Sequence, residues 1–131
     1  MNKAILQQQK IIPADYEELL FSDEGGAVVT FSGRVRKTSS SQIVSHIIYE
    51  VYNTMAQKEL EKIVATVIND WSLLKCLIIH RIGSVLVGEI ALYVAIVSKH
   101  RKESFKAIEY IVDEIKRSVP IWKKEIFANE R

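Results

Sequence analysis

The sequence predicts an α+β fold in which helices pack on a mostly antiparallel sheet. Three observations carry that expectation. Two long segments, one following Thr54 and one following Ser98, space their apolar residues three and four apart, the period of a helix with one buried face. Around them lie short runs rich in β-branched and aromatic residues, bounded by glycines or polar clusters, which is the pattern of strands. The chain has 131 residues, 48% of them hydrophobic and 26% charged, enough for one core without staples. No internal repeat or linker divides it, so residues 1–131 are read as a single domain.

Residues 1–10 are expected to be disordered or to form an edge strand. Pro13-Ala14-Asp15 reads as the entry to a short helix reaching Phe21. Gly25-Gly26 interrupts, and Ala27 to Val35 then reads as a strand. The polar run Thr38-Ser39-Ser40-Ser41 is expected to be a flexible connection, mobile without ligand. Val44 to Tyr52 alternates loosely and is expected to be a second strand paired with the first. Thr54 is placed as the cap of a helix reaching Trp71, with Leu60, Ile63, Val64, Val67, Ile68 and Trp71 on its buried face. Lys75 to Ile82 and Ile90 to Val97 read as strands joined through a turn region holding Gly83 and Gly88. Ser98 is placed as the cap of the last long helix, with Phe105, Ile108, Val112 and Ile115 facing the core. Pro120 ends that helix, and Ile121 to Phe127 reads as a final strand. Tyr49, Tyr52 and Tyr93 are assigned to core-facing positions.

A formal net charge of +2 is too small to make the whole surface bind nucleic acid, so functional basicity has to be local. The lone cysteine, Cys76, lies in the mostly apolar run Leu73 to Ile79 and reads as a buried structural thiol, which fits a reducing compartment. No apolar run approaches the roughly 20 residues of a membrane helix, and the Gln7-Gln8-Gln9-Lys10 stretch is unlike a signal peptide. The expected location is the cytoplasm, with neither a membrane nor a nucleic acid as partner. Three histidines, with no cysteine cluster or paired carboxylates at ligand spacing, predict no metal. No cofactor motif is present either, and His46 and His80 read as structural.

The cations are more informative. Ser98-Lys99-His100-Arg101 opens the last helix, Lys116 borders its apolar stripe near the end, and Lys123-Lys124-Glu125 follows Pro120. Arg34-Val35-Arg36 leaves a strand much earlier. Cations converging from distant segments need an anionic ligand to offset their repulsion. Each has a plain alternative. Lys116 is either a lysine whose stem covers core while its ammonium reaches water, or a partly desolvated lysine serving as acid, base, nucleophile or anion clamp. Lys123 and Lys124 are either a solvated surface pair or, pointing to opposite faces if extended, a pair of which only one serves a pocket. Arg34 and Arg36 are either charges guarding a sheet edge or a fork for phosphate. His100 and Arg101 stand where free backbone N–H groups favour an anion, though a histidine there is as often a cap or a structural hydrogen-bonding group. Spacing alone gives a small anionic ligand and leaves lysine chemistry open.

Four blocks carry a resemblance. Gly26-Ala27-Val28-Val29-Thr30-Phe31-Ser32-Gly33-Arg34-Val35-Arg36 is the first, and Ile79-His80-Arg81-Ile82-Gly83 the second. Gly88-Glu89 running to Ser98-Lys99-His100-Arg101 is the third, and Ile115-Lys116 through Val119-Pro120-Ile121-Trp122-Lys123-Lys124-Glu125 the fourth. In this order and spacing, over residues 25 to 127, they resemble the large, catalytic subunit of molybdopterin synthase, the MoaE family. The resemblance implies an α/β hammerhead-like fold with an added antiparallel β subdomain. It implies a sulfurtransferase that converts cyclic pyranopterin monophosphate to the molybdopterin dithiolene. The sulfur would come from the glycine thiocarboxylate ending a small ubiquitin-like, MoaD-like subunit. The large subunit would form a homodimer at the centre of a heterotetramer.

It further implies Lys116 and Lys123 as catalytic residues, and Arg34, Val35, Arg36, His100, Arg101, Lys116, Lys123, Lys124 and Glu125 as substrate-binding residues. Two departures stand out: Asn53-Thr54 replaces the family's Pro-Gly type of turn, and the sequence ends at Arg131 where relatives run on. A non-catalytic paralogue that only binds the small subunit is the alternative reading. A small RNA-binding domain is another, and would need exposed aromatics among basic residues on a sheet face.

Overall fold

The structure, a computed structural model, describes residues 2–128. Two four-stranded sheets and two long helices make a mixed α+β fold. The strands are β1 (Asn2–Gln7), β2 (Ala27–Arg34), β3 (Thr38–Ser39), β4 (Gln42–Val51), β5 (Lys75–Arg81), β6 (Gly83–Leu86), β7 (Ile90–Ser98) and β8 (Ile121–Phe127). The helices are α1 (Asn53–Asp70) and α2 (Arg101–Ser118).

The first sheet runs β1-β5-β7-β2, with β1 parallel to β5 and the other pairs antiparallel. All nine residues of β7 are buried, because both faces of the sheet are covered. On one face α1 and α2 enclose a core of Leu60, Ile63, Val67, Ile78, Val94, Ile96, Ile111 and neighbours. The other face is closed by the chain from Ile11 to Leu20 over Leu77, Ile79, Tyr93 and Val97. In the second sheet β4 is central, paired with β3, β6 and β8, around Val35, Val44, Ile47 and Val85.

Several expectations are corrected. β4 does not pair with β2, which pairs instead with β7. The segment from Pro13 to Leu20 forms two 3₁₀ turns, Pro13–Tyr16 and Glu18–Leu20, rather than one helix. Thr38–Ser41 is no loose connection: Ser40 and Ser41, at φ 49° and 68°, make a two-residue turn between β3 and β4. The Gly83–Gly88 region holds β6 as well as turns, and both glycines have positive φ, 82° and 86°.

Neither predicted helix cap holds. Tyr52 occupies the N-cap of α1, with Thr54 already inside the helix, and His100 occupies that of α2. The Ser98 hydroxyl donates to the His100 carbonyl at 2.5 Å and takes up the Ser104 hydroxyl at 2.5 Å. The buried stripe of α2 is Ser104, Ala107, Ile111 and Ile115, while Phe105 is exposed. Small residues at 104 and 107 let the first turns of α2 lie close to the sheet, and that rotates the larger Phe105 outward. Tyr93 is buried and Tyr49 half-buried, but Tyr52 is exposed against Trp122.

Candidate active site

The two sheets meet beside the C-terminal half of α2, and their junction leaves an open cavity of about 540 Å³. Arg34 and Arg36 reach it from the end of β2, Lys116 from α2 and Lys123 from β8. Tyr49, His80 and Leu92 line it from β4, β5 and β7. A register shift at Gly33/Arg34 re-aims the strand exit. That exit is then clamped by the β6–β7 turn: Arg34 Nη1 donates to the Gly88 carbonyl at 2.7 Å, and the Gly88 N–H donates to the Val35 carbonyl at 2.8 Å. Val35 itself is buried in the second sheet's core, so its role is to anchor the segment between the two arginines.

Among the described residues no carboxylate lines the cavity, and none of its four cations holds an ion pair. An anion entering the cavity would meet cationic donors from three separate segments. Lys116 is exposed at the rim, which sets aside for the single chain the idea of a desolvated ammonium.

Lys123 pairs in register with Tyr49 and Glu125 with Ile47, so these share a face, whereas Lys124 pairs with Ile48 on the other. Glu125 lies close enough to Tyr49 to add to the burial that raises the phenol pKa. Lys124 and Glu125 do not line the cavity. His100 and Arg101 lie elsewhere, in a groove at the start of α2 with Gly26, Lys99 and Lys102. A Cβ on Gly26 would collide with the Lys99 carbonyl, so a side chain there would displace that groove's wall. Within one chain the structure thus joins Arg34, Arg36, Lys116 and Lys123 and leaves His100, Arg101 and Lys124 apart.

Tyr49 and His80 are lining residues that the sequence reading treated as structural. The signal for His80 was its place in the alternation Cys76, Ile78, His80, where a polar residue ends an apolar file. Among the described residues no cluster of histidine, cysteine and carboxylate is suited to a metal, and no helix is long and apolar enough to cross a membrane.

Comparison with known proteins gives the family and the fold. The chain is 42% identical over 108 residues to the molybdopterin synthase catalytic subunit of Pyrococcus abyssi (strain GE5 / Orsay), covering 82% of this chain and 73% of that protein. A crystal structure of molybdopterin synthase from Staphylococcus aureus superposes with a TM-score of 0.89 at 36% identity, covering 95% of this chain and 91% of that one. A chain from the complex of subunits 1 and 2 of molybdopterin-converting factor from Helicobacter pylori 26695 shares the fold, with a TM-score of 0.79 at 24% identity, over 98% of this chain and 91% of that one. The family model described as MoaE protein matches residues 6–118. The chain belongs to the MoaE family.

Proposed function

We propose that this chain is the catalytic subunit of a molybdopterin synthase. It moves sulfur from the thiocarboxylated C-terminus of a small ubiquitin-like subunit to cyclic pyranopterin monophosphate, building the dithiolene that later holds molybdenum. The observation that carries this reading is the cavity that gathers Arg34, Arg36, Lys116 and Lys123, in a member of the MoaE family. Arg36, beside Arg34, is suited to grip the substrate phosphate, since a guanidinium offers a planar fork of donors. Lys116 stabilises the charge that develops as the thiocarboxylate sulfur attacks the pterin side chain, and Lys123, across the cavity on β8, assists by proton transfer or by neutralising charge. Two copies form a central dimer, in which His100 and Arg101 of one complete the cavity of the other, with a small subunit at each end. The cytoplasm is the proposed setting, consistent with an unpaired, buried Cys76.

The test is single-turnover conversion of cyclic pyranopterin monophosphate by this chain mixed with a thiocarboxylated small subunit, with product detected as its fluorescent oxidised derivative. Dithiolene product is expected. A stable complex that yields none would make the chain a binding-only relative.

A further inference from the structure

His80 closes a file of β5 that is otherwise apolar. Cys76, Ile78 and His80 point to the helix-covered face of the first sheet, and the first two are fully buried in its core. Across the ladders His80 meets Leu92 and Leu6. Hydrocarbon would fill this position without burying polar nitrogens, yet an imidazole stands there with 6% exposure.

Its ring is fixed. Nδ1 lies 2.8 Å from the Arg81 carbonyl oxygen, which can only accept, so Nδ1 carries the proton. The Tyr49 ring packs edge-on against it, with centroids 5.1 Å apart and planes at 71°. Burial pushes the imidazole below its ordinary pKa, against the smaller opposing effect of the Arg81 carbonyl. With its Nδ1 proton committed to the Arg81 carbonyl, the buried ring is neutral and Nε2 is an acceptor.

Among the described residues Nε2 has no protein partner, and it is not one of the sealed, unpaired polar atoms; Glu103 Oε2 is. Its opening is the cavity that His80 lines. Among the described residues, the other side-chain polar groups on that lining are four cations and the Tyr49 phenol, all able to donate. A fixed neutral acceptor among donors is selective. The cations attract any phosphate, whereas Nε2 is satisfied only by a ligand that brings an N–H or O–H to it.

We propose that His80 is a substrate-contacting residue whose Nε2 accepts a hydrogen bond from an N–H or O–H of the pterin ring system. This rests on the cavity being the pterin phosphate site. Charge supplies affinity for the phosphate, and His80 supplies preference for the heterocycle attached to it.

The experiment measures equilibrium binding of cyclic pyranopterin monophosphate and of inorganic phosphate to the full chain and to two variants. H80N keeps an N–H for the Arg81 carbonyl but lacks the distal acceptor. H80Q extends an amide oxygen toward the place of Nε2. H80N is expected to bind the pterin phosphate roughly five- to tenfold more weakly, the loss of one neutral hydrogen bond, with phosphate binding unchanged. H80Q should recover part of the difference. Equal pterin affinity in H80N, or equal weakening toward both probes, would overturn the proposal, the latter by reducing the ring to a structural part. A wild-type chain that binds inorganic phosphate but not the pterin phosphate would instead overturn the assignment of the site, and this proposal with it.

Discussion

Lys116 leaves α2 just after the buried Ile115, with its side chain exposed at the cavity rim. Its truncation removes a donor from the site without opening the core. Lys116→Ala is therefore expected to slow the single-turnover reaction at least ~100-fold, the usual effect of losing one preorganised charge-stabilising group. Thermal unfolding should stay close to wild type. Turnover within a few-fold of wild type would remove Lys116 from the chemistry. Cys76 makes the contrasting case: fully buried, its thiol is pushed up to about 12, so thiolate is scarce at neutral pH. A maleimide or disulfide reagent at pH 8 should leave the folded chain unlabelled and modify it once denatured. Rapid labelling of the native protein would show that β5 opens. At this scale the residues alone left Arg36, Lys116 and Lys123 open between solvated charge and pocket, and the family resemblance chose among them; the structure brings all three to one cavity. His80 and Tyr49 were not legible, since a polar residue in an apolar run looks structural until its cross-strand neighbours are known.

Among the elements, the turn between β6 and β7 holds the site together, and Glu89 holds the turn. Its Oε1 accepts from Arg81 Nη1 at 2.7 Å and from the Leu86 N–H at 2.9 Å, while Oε2 lies 3.4 Å from Lys10 Nζ. The Leu86 N–H, and after it the Arg81 guanidinium, lower the Glu89 pKa below the ordinary carboxylate value. A carboxyl whose pKa is depressed by folding stabilises the fold above its unfolded pKa, and this contribution is lost as pH falls through the folded value. Glu89→Ala should destabilise the chain by about 2 kcal/mol at pH 7, because Arg81 is 8% exposed and loses its counter-charge. The difference between variant and wild type should shrink in denaturant melts below about pH 4. A difference that stays constant down to pH 3 would make the ion pair irrelevant to stability.

This turn also shows what a sequence conceals. The strands β2, β5, β7 and β8 and both helices were readable, since period and punctuation are local signals. The partner of β4 was not: adjacency suggested β2, whereas β6 and β8, far along the chain, supply its edges. The stripe of α2 was misread because Ser104 and Ala107 are buried for their small size rather than their hydrophobicity.

The whole molecule poses a question of distance. Arg101 and Lys116 stand at opposite ends of α2, which at 1.5 Å per residue places them about 22 Å apart along its axis. A single pterin phosphate cannot be held by both from the same chain. A twofold dimer removes the difficulty, because symmetry can set the start of one copy's α2 against the end of the other's. The lone chain is consistent with that arrangement, since both the groove at His100–Arg101 and the rim at Lys116 are exposed. The two models separate cleanly when two inactive variants are mixed. If each site takes Lys116 from one copy and Arg101 from its partner, a hybrid of Arg101→Ala with Lys116→Ala keeps one intact site and loses both functions at the other. Random re-pairing makes half the dimers hybrids, so activity should return to roughly a quarter of wild type. If each chain builds its own site, no mixture can exceed the average of the two variants. Activity that stays at that average after confirmed subunit exchange would rule out a shared site.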